Sequence, residues 1–370
     1  MKELLKKLIQ AKTTSEDGEL AAAEVIAAEF ARFGVESEID SWDSNRANII
    51  ARVKSSRQKA GLLFACHHDV VGPGQASWQY PPFGAVEADG KIYGRGSTDM
   101  KGGISAAVTA ICGIVDSGTK LQGDIIFVAA AGEETDSAGA QRFIDGSERQ
   151  DNLAGVVIPE PTDFTIVTAH RGMLWLEVNT SGKSAHGSTP ELGINAITSM
   201  RHFLDGLEKY DISAKSHELL GRCSMSVNTI VGGKTLNVVP DKCTVGIDIR
   251  TIPGADHQNI IADIKGIFEK LKSENSQFEA DVSIIRQVQS METDRNSDFV
   301  REFCSSLGIT ETHAIDFTTD GPHFASLGAP VVIFGPGKPS LCHKPDEYIE
   351  IADVEKASRC YKKIIMHFLT

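Results

Sequence analysis

One stretch constrains this chain more than any other. Leu62-Leu63-Phe64-Ala65-Cys66 is a continuous apolar run that leads into His67-His68-Asp69 and then Val70-Val71. Gly61 opens it and Gly72-Pro73-Gly74 close it. An apolar run of this length between such breakers predicts a strand buried on both faces, as in parallel sheets covered by helices. Ligands of open α/β sheets gather at the carboxyl ends of such strands. Here that end carries two imidazoles and a carboxylate. If His67 binds a metal, Asp69 lies two residues on, on the same side of an extended chain. It is then placed to orient the ring. A histidine-rich loop after a strand is the rival reading, and this motif alone does not decide between them.

Two more runs repeat the pattern. Ile125-Ile126-Phe127-Val128-Ala129-Ala130-Ala131 ends in Gly132-Glu133-Glu134, and Ala154-Gly155-Val156-Val157-Ile158 ends in Pro159-Glu160-Pro161. Shorter strands are expected at 35–39 and 48–53. Helices are expected at 1–11, where Leu4, Leu5, Leu8 and Ile9 share a face, at 19–33 with Gly34 just past the end, at 104–115 and at 138–144. Strands alternating with helices place this half among α/β folds with a mainly parallel sheet.

The texture changes after Arg171. A strand beginning at Leu174, a helix over 193–210, strands at 225–231 and 243–250, a helix over 256–272 and a strand at 280–285 follow. That β-α-β-β-α-β order predicts a ferredoxin-like insertion. From Arg286 the first texture returns, with a helix at 297–307, a strand at 329–334 and a last helix at 351–368. A chain of 370 residues exceeds the size at which single cores split. The expected division is a discontinuous domain of residues 1–171 and 286–370, interrupted by 172–285.

Composition narrows the function. Hydrophobic residues are 41% and charged residues 24%, ordinary for a globular chain. A net charge of -13 argues against nucleic acid as partner. Met1-Lys2-Glu3-Leu4-Leu5-Lys6-Lys7 has no signal-peptide apolar core, and no run reaches the roughly 18 apolar residues of a membrane span. Seven widely spaced cysteines without a Cys-x-x-Cys pair predict reduced thiols and a cytoplasmic location.

The acidic and histidine clusters form an inventory. His67 with Asp69, Glu133 with Glu134, and Glu160 stand at strand ends. Asp99 stands in the turn Gly94-Arg95-Gly96-Ser97-Thr98-Asp99-Met100-Lys101-Gly102-Gly103, and His343 in the loop Cys342-His343-Lys344-Pro345-Asp346-Glu347. Imidazoles and carboxylates without a thiolate set suit a catalytic zinc, or a pair of zinc, manganese or cobalt ions, better than a structural zinc. A pair about 3.5–4 Å apart needs a bridging carboxylate, and Asp99 is the candidate. Of the adjacent Glu133 and Glu134, one can bind metal while its neighbour serves as general base. Each piece also has a plainer reading: Asp99 as a helix cap, Glu133-Glu134 as a solvated turn, Cys342 as a lone thiol. Gly94-x-Gly96 lacks the continuation of a nucleotide loop.

Taken in order, these motifs resemble the M20 family of metallopeptidases and aminoacylases, over essentially the whole chain. Further matching stretches are Asp89-Gly90-Lys91-Ile92-Tyr93, Gly182-Lys183-Ser184-Ala185-His186-Gly187-Ser188 and Asn237-Val238-Val239-Pro240. Within the family the likeness is to acetylornithine deacetylases and succinyl-diaminopimelate desuccinylases, with dipeptidases and carboxypeptidases behind. The resemblance implies an α/β zinc-hydrolase catalytic domain with a mainly parallel sheet and an inserted ferredoxin-like lid and dimerisation domain. It implies two Zn2+ per subunit, with Co2+ or Mn2+ as substitutes: His67 and Glu160 on one, Glu134 and His343 on the other, Asp99 bridging, Asp69 supporting His67 and Glu133 as base. It further implies that His186 reaches the oxyanion from the partner of a homodimer, that Arg250 clamps a substrate carboxylate, and that Asn228 adds a polar contact. The substrate would be a small N-acyl amino acid or short peptide, with no membrane partner. A surface histidine and a surface salt bridge are the plainer readings of His186 and Arg250. An inactive relative acting as a binding module is the alternative from another class, and the intact ligand set speaks against it. The chain departs from the family at Cys66, where glycine is frequent, at His68, where threonine or serine is frequent, and at Gly72. His67 keeps the His-x-Asp spacing, whereas His68 points to the opposite side of a strand.

Overall fold

The computed structural model describes residues 1–146, 152–212 and 215–370. The chain divides into two compact units. The larger comprises Met1–Thr168, Glu292–Ala314 and Thr319–Thr370, and the smaller Ala169–Met291 with Ile315–Thr318.

In the larger unit the buried runs become the centre of a sheet. Neighbours in order are Glu36–Trp42, Arg46–Val53, Ile125–Ala130, Gly61–His67, Leu153–Ile158, Val331–Ile333 and Ile166–His170. Gly61–His67 pairs in parallel with Ile125–Ala130 on one side and Leu153–Ile158 on the other, and Val331–Ile333 continues the parallel centre. The flanking pairs of Glu36–Trp42, Arg46–Val53 and Ile125–Ala130 are antiparallel. Every residue of Gly61–His67 and of Ile125–Ala130 is buried, as a strand covered on both faces requires. Leu62, Phe64 and Cys66 join the main core with the helices Lys2–Gln10, Leu20–Arg32, Gly102–Asp116 and Ile351–Leu369. Alternation therefore sends Leu63, Ala65 and His67 to the other face.

Glycine is required where the helix Gly102–Asp116 starts. A Cβ on Gly103 would lie 2.1 Å from the carbonyl oxygen of Pro159. Gly96 has φ +82°, and its Cβ would meet Val70 at 2.5 Å. The turn can thus lie directly against two strand ends.

The smaller unit has the expected element order: Gly172–Ser181, Ala196–Leu207, Ser224–Gly232, Lys242–Thr251, His257–Glu274 and Glu279–Val288. Its four strands form one antiparallel sheet, ordered Ser224–Gly232, Lys242–Thr251, Gly172–Ser181, Glu279–Val288. This is the ferredoxin-like arrangement. Asn195 and Asp256 cap the two helices by accepting main-chain N–H bonds. Leu174, Leu176, Val178, Phe203, Ile247, Ile264 and their neighbours make a separate core. All seven cysteines are free thiols. Among the described residues no helix is long and apolar enough to cross a membrane.

Candidate metal centre

Strand order brings the site together. Because Ile125–Ala130, Gly61–His67 and Leu153–Ile158 are parallel neighbours, their carboxyl ends lie side by side. Each releases its polar residues into the same space: Glu133 and Glu134, His67 and Asp69, and Glu160.

His67 ends its strand, and Nδ1 lies 3.3 Å from Asp69 Oδ1. The Asp69 carboxylate also accepts the main-chain N–H groups of Glu133 at 3.1 Å and Glu134 at 2.9 Å. One buried aspartate thus holds both an imidazole and the turn that carries two glutamates. His67 Nε2 lies 3.2 Å from Asp99 Oδ1 and 3.2 Å from Glu160 Oε1. The second Asp99 oxygen, Oδ2, lies 3.2 Å from His343 Nε2, which is 2.9 Å from Glu134 Oε1. Asp99 therefore presents one oxygen to each histidine. It is not a helix cap: Lys101 holds the N-cap position of Gly102–Asp116, and the Asp99 carboxylate faces the two histidines.

His68 goes elsewhere. It is fully buried, with Nε2 2.8 Å from the Ala47 carbonyl oxygen, and burial pushes its pKa down to about 4. A neutral ring pinned to main chain is a core histidine.

The electrostatics test whether a cation fits. Burial pushes Glu160 up to about 7, with repulsion from Asp99 adding to it. Burial also raises Glu134, again with Asp99 behind it, and raises Glu133 well above the usual carboxylate range. Burial opposes the charge on Asp99 too, but its hydrogen bonds to His343 and His67 hold it below its ordinary value. Hydrogen bonds to Asp99 and Glu134 push His343 up to about 10. Without a cation, this many buried carboxylates are balanced only by protons, many of them placed between ligand-type atoms. One donor atom each from His67, Asp99 and Glu134 lies within 4.8 Å of the others. Hard oxygens, two imidazoles and an excess of negative charge fit divalent cations.

The His343 Nε2 beside Cys342 in sequence faces Asp99 and Glu134. Burial and the nearby Asp99 charge push the Cys342 thiol well above the ordinary range, which disfavours the thiolate. Three further residues belong here. Asp320 is buried and repels charge on Glu133. Arg95 and Glu347 form a buried ion pair at 2.6 Å. Arg95 and Glu347 stand inside motifs quoted above, but their pairing across the chain has no local signal.

The remaining candidates lie in the smaller unit. His186 is exposed and makes a strand-like bridge to Val238. Its Nδ1 accepts the Ser188 main-chain N–H at 3.1 Å, which leaves the ring proton of the neutral form on Nε2. Arg250 Nε lies 2.9 Å from Asp248 Oδ1 on an interior strand, so it is ion-paired and not at a sheet edge. Asn228 falls at a bulge between Val227 and Thr229. With Trp175 and Asp248 it lines a cavity of about 240 Å³.

A mostly parallel α/β sheet whose strand ends gather two imidazoles and five carboxylates defines a metallohydrolase-type centre. The sequence profile of peptidase family M20/M25/M40 matches residues 63–367. The chain belongs to this family and is a hydrolase of the M20 metallopeptidase and deacylase type. It is 32% identical over 361 residues to a probable succinyl-diaminopimelate desuccinylase of Staphylococcus aureus (strain MRSA252), covering 87% of this chain and 86% of the relative. It is 28% identical over 348 residues to an acetylornithine deacetylase of Myxococcus xanthus, covering 92% and 89%. The fold matches the M20 family metallo-carboxypeptidase Sso-CP2 of Sulfolobus solfataricus with a TM-score of 0.81 at 20% identity, covering 99% of this chain and 98% of that one.

Proposed function

We propose that this chain is a dinuclear-zinc amidohydrolase that removes the acyl group from an N-acyl amino acid, in the manner of acetylornithine deacetylase. The observation that carries the reading is Asp99, whose two oxygens face two different histidines. His67 and Glu160 would hold one ion and Glu134 and His343 the other, with Asp99 shared between them. Such ions, when bound there, would supply Lewis acidity toward the amide carbonyl and lower the pKa of a nearby water.

The chain's own residues do the rest. Glu133 takes the proton of the attacking water as its oxygen bonds to the carbonyl carbon. It then delivers that proton to the departing nitrogen as the C–N bond breaks, which restores Glu133; the second water proton stays on the new carboxyl and passes to the amine, leaving a carboxylate and an ammonium. Asp69 keeps the His67 ring in place. His186, from the partner of a homodimer, donates to the developing oxyanion, a contact worth about 3–4 kcal/mol where such donors have been removed. Arg250 takes a substrate carboxylate and Asn228 adds a polar contact. Residues 172–285 serve as a lid and dimerisation domain, and residues 1–171 with 286–370 as the catalytic domain.

The second reading changes only the acyl group. Desuccinylase-type relatives match at 29–32% identity and the deacetylase at 28%, which supports succinyl as the alternative acyl group. Turnover of acetylornithine, succinyl-diaminopimelate, other N-acyl amino acids and dipeptides, each with Zn2+, Co2+ and Mn2+, decides between them. Hydrolysis of dipeptides alone would overturn both. Glu133→Gln is expected to lower kcat at least 100-fold with metal content unchanged. An active variant removes the base assignment.

A further inference from the structure

The loop that carries His343 is tied to the turn that carries Asp99 by an ion pair with no direct contact to either histidine. Arg95 and Glu347 are 252 residues apart in sequence, and their side chains are 2% and 0% exposed. Arg95 Nη1 donates to Glu347 Oε2 at 2.6 Å. Glu347 Oε1 accepts the main-chain N–H of Thr98 at 2.9 Å and of Asp99 itself at 3.1 Å. A buried carboxylate with one charged and two neutral donors is firmly held.

Around this pair the two segments are joined along their length. Tyr348–Glu350 pairs antiparallel with Lys91–Tyr93. Thr98 Oγ1 donates to the Tyr348 carbonyl at 2.6 Å, and the Gly94 N–H to the Glu347 carbonyl at 2.8 Å. Arg95 also lies over the Trp78 ring at 5.1 Å. Between His343 and Glu347 the chain turns through left-handed residues at His343 (φ +63°) and Asp346 (φ +55°). Stability is a poor reason for such a pair, since well-packed apolar replacements are often as good. Its geometric consequence is specific: it fixes both chain segments that set the 3.2 Å separation of His343 Nε2 from Asp99 Oδ2.

We propose that Arg95 and Glu347 are positioning residues of the metal centre: Glu347 holds the peptide of the bridging carboxylate, and through its own loop it places His343 against that carboxylate. This rests on the reading of Asp99 and His343 as ligands. Outer partners of metal ligands commonly govern affinity by 10–100-fold.

The test uses metal-free full-length protein. Stepwise Zn2+ and Co2+ binding is measured by competition with a chelator, the Co2+ d–d spectrum is recorded, and the melting temperature of each metal-free protein is taken. Glu347→Gln is expected to weaken the weaker of the two binding steps 10–100-fold, with the tighter step moving less, and to change the Co2+ spectrum. Arg95→Lys keeps the charge but loses the planar fork, and is expected to weaken the same step. Unchanged affinities and spectra beside a lowered melting temperature would overturn the proposal, because a merely structural pair gives that pattern. If Glu347→Gln does not fold, Arg95→Lys is read by the same criteria. A wild type that binds no second ion overturns the ligand reading and this proposal together. Two ions bound equally by wild type and variants overturn only the positioning role.

Discussion

Glu19 is a buried carboxylate outside the proposed chemistry. Its side chain is 2% exposed, and Arg46 Nε reaches it at 3.3 Å. Burial pushes its pKa up to about 7, repulsion from Asp69 adds to this, and Arg46 opposes it. The folded value lies above the roughly 4.5 of an exposed glutamate, so the folded state holds the proton more tightly than the unfolded chain. Its contribution is fully present below about pH 4.5 and is lost as pH rises toward 7. Glu19→Gln removes that dependence. The variant should gain stability relative to wild type between pH 5 and pH 8, by at most roughly 3 kcal/mol. Melting temperatures at the two pH values measure it, and an equal difference at both would refute the assignment. Single residues were legible where spacing speaks. The His-x-Asp interval separates His67 from His68, and the structure points the first at Asp99 and the second at the Ala47 carbonyl. Glu347 was not legible, because its meaning lies in main-chain groups 249 and 248 residues away.

At the scale of elements, one helix contains both a forced glycine and a free one. Gly103 approaches Pro159 too closely for any Cβ, whereas Gly113, in the same helix, has nothing within 4 Å of a built Cβ. Gly103→Ala must push Gly102–Asp116 away from the strand end that carries Glu160. It is expected to cost about 1–3 kcal/mol and to weaken metal binding. Gly113→Ala should stabilise by about 0.5–1 kcal/mol and leave metal binding alone. Denaturant unfolding of both variants, with metal titration, gives the comparison; similar gains in both would show that helix propensity and not the close approach governs this region. The same contrast explains which elements could be read in advance. Gly102–Asp116, Leu20–Arg32 and the buried strands announce themselves by local periodicity and terminal glycines. Ile166–His170 and Thr312–Ile315 are short, and their pairing depends on partners distant in sequence, so no window of residues contains their signal. The convergence of three strand ends is likewise a property of strand order, inferred from fold class and not from any one strand.

For the whole molecule, the two units keep separate hydrophobic cores: one lies outside residues 169–291 and the other within 174–278. The ligand-type residues belong to the first, and His186, Arg250 and Asn228 to the second. Metal binding and turnover should therefore be separable. The chain enters and leaves the smaller unit at adjacent points, since Met173 pairs with Val288 and Gly172 packs against the Ser290 main chain. A short Gly/Ser linker can therefore replace residues 172–285. The shortened chain is expected to fold and to bind metal within about threefold of wild type, because His67, Asp99, Glu134, Glu160 and His343 all remain. Its turnover of any N-acyl substrate should fall at least 100-fold, since the proposed oxyanion donor and carboxylate clamp are gone. Residues 172–285 expressed alone should melt cooperatively on the strength of their own core. Metal content, kcat and calorimetry of the two pieces decide the matter. If the shortened chain retained full turnover, the chemistry would reside wholly at the strand ends, and the roles proposed for His186, Arg250 and Asn228 would fall. If it lost metal as well, the smaller unit would be needed to build the centre, and the separation of the two tasks would be wrong.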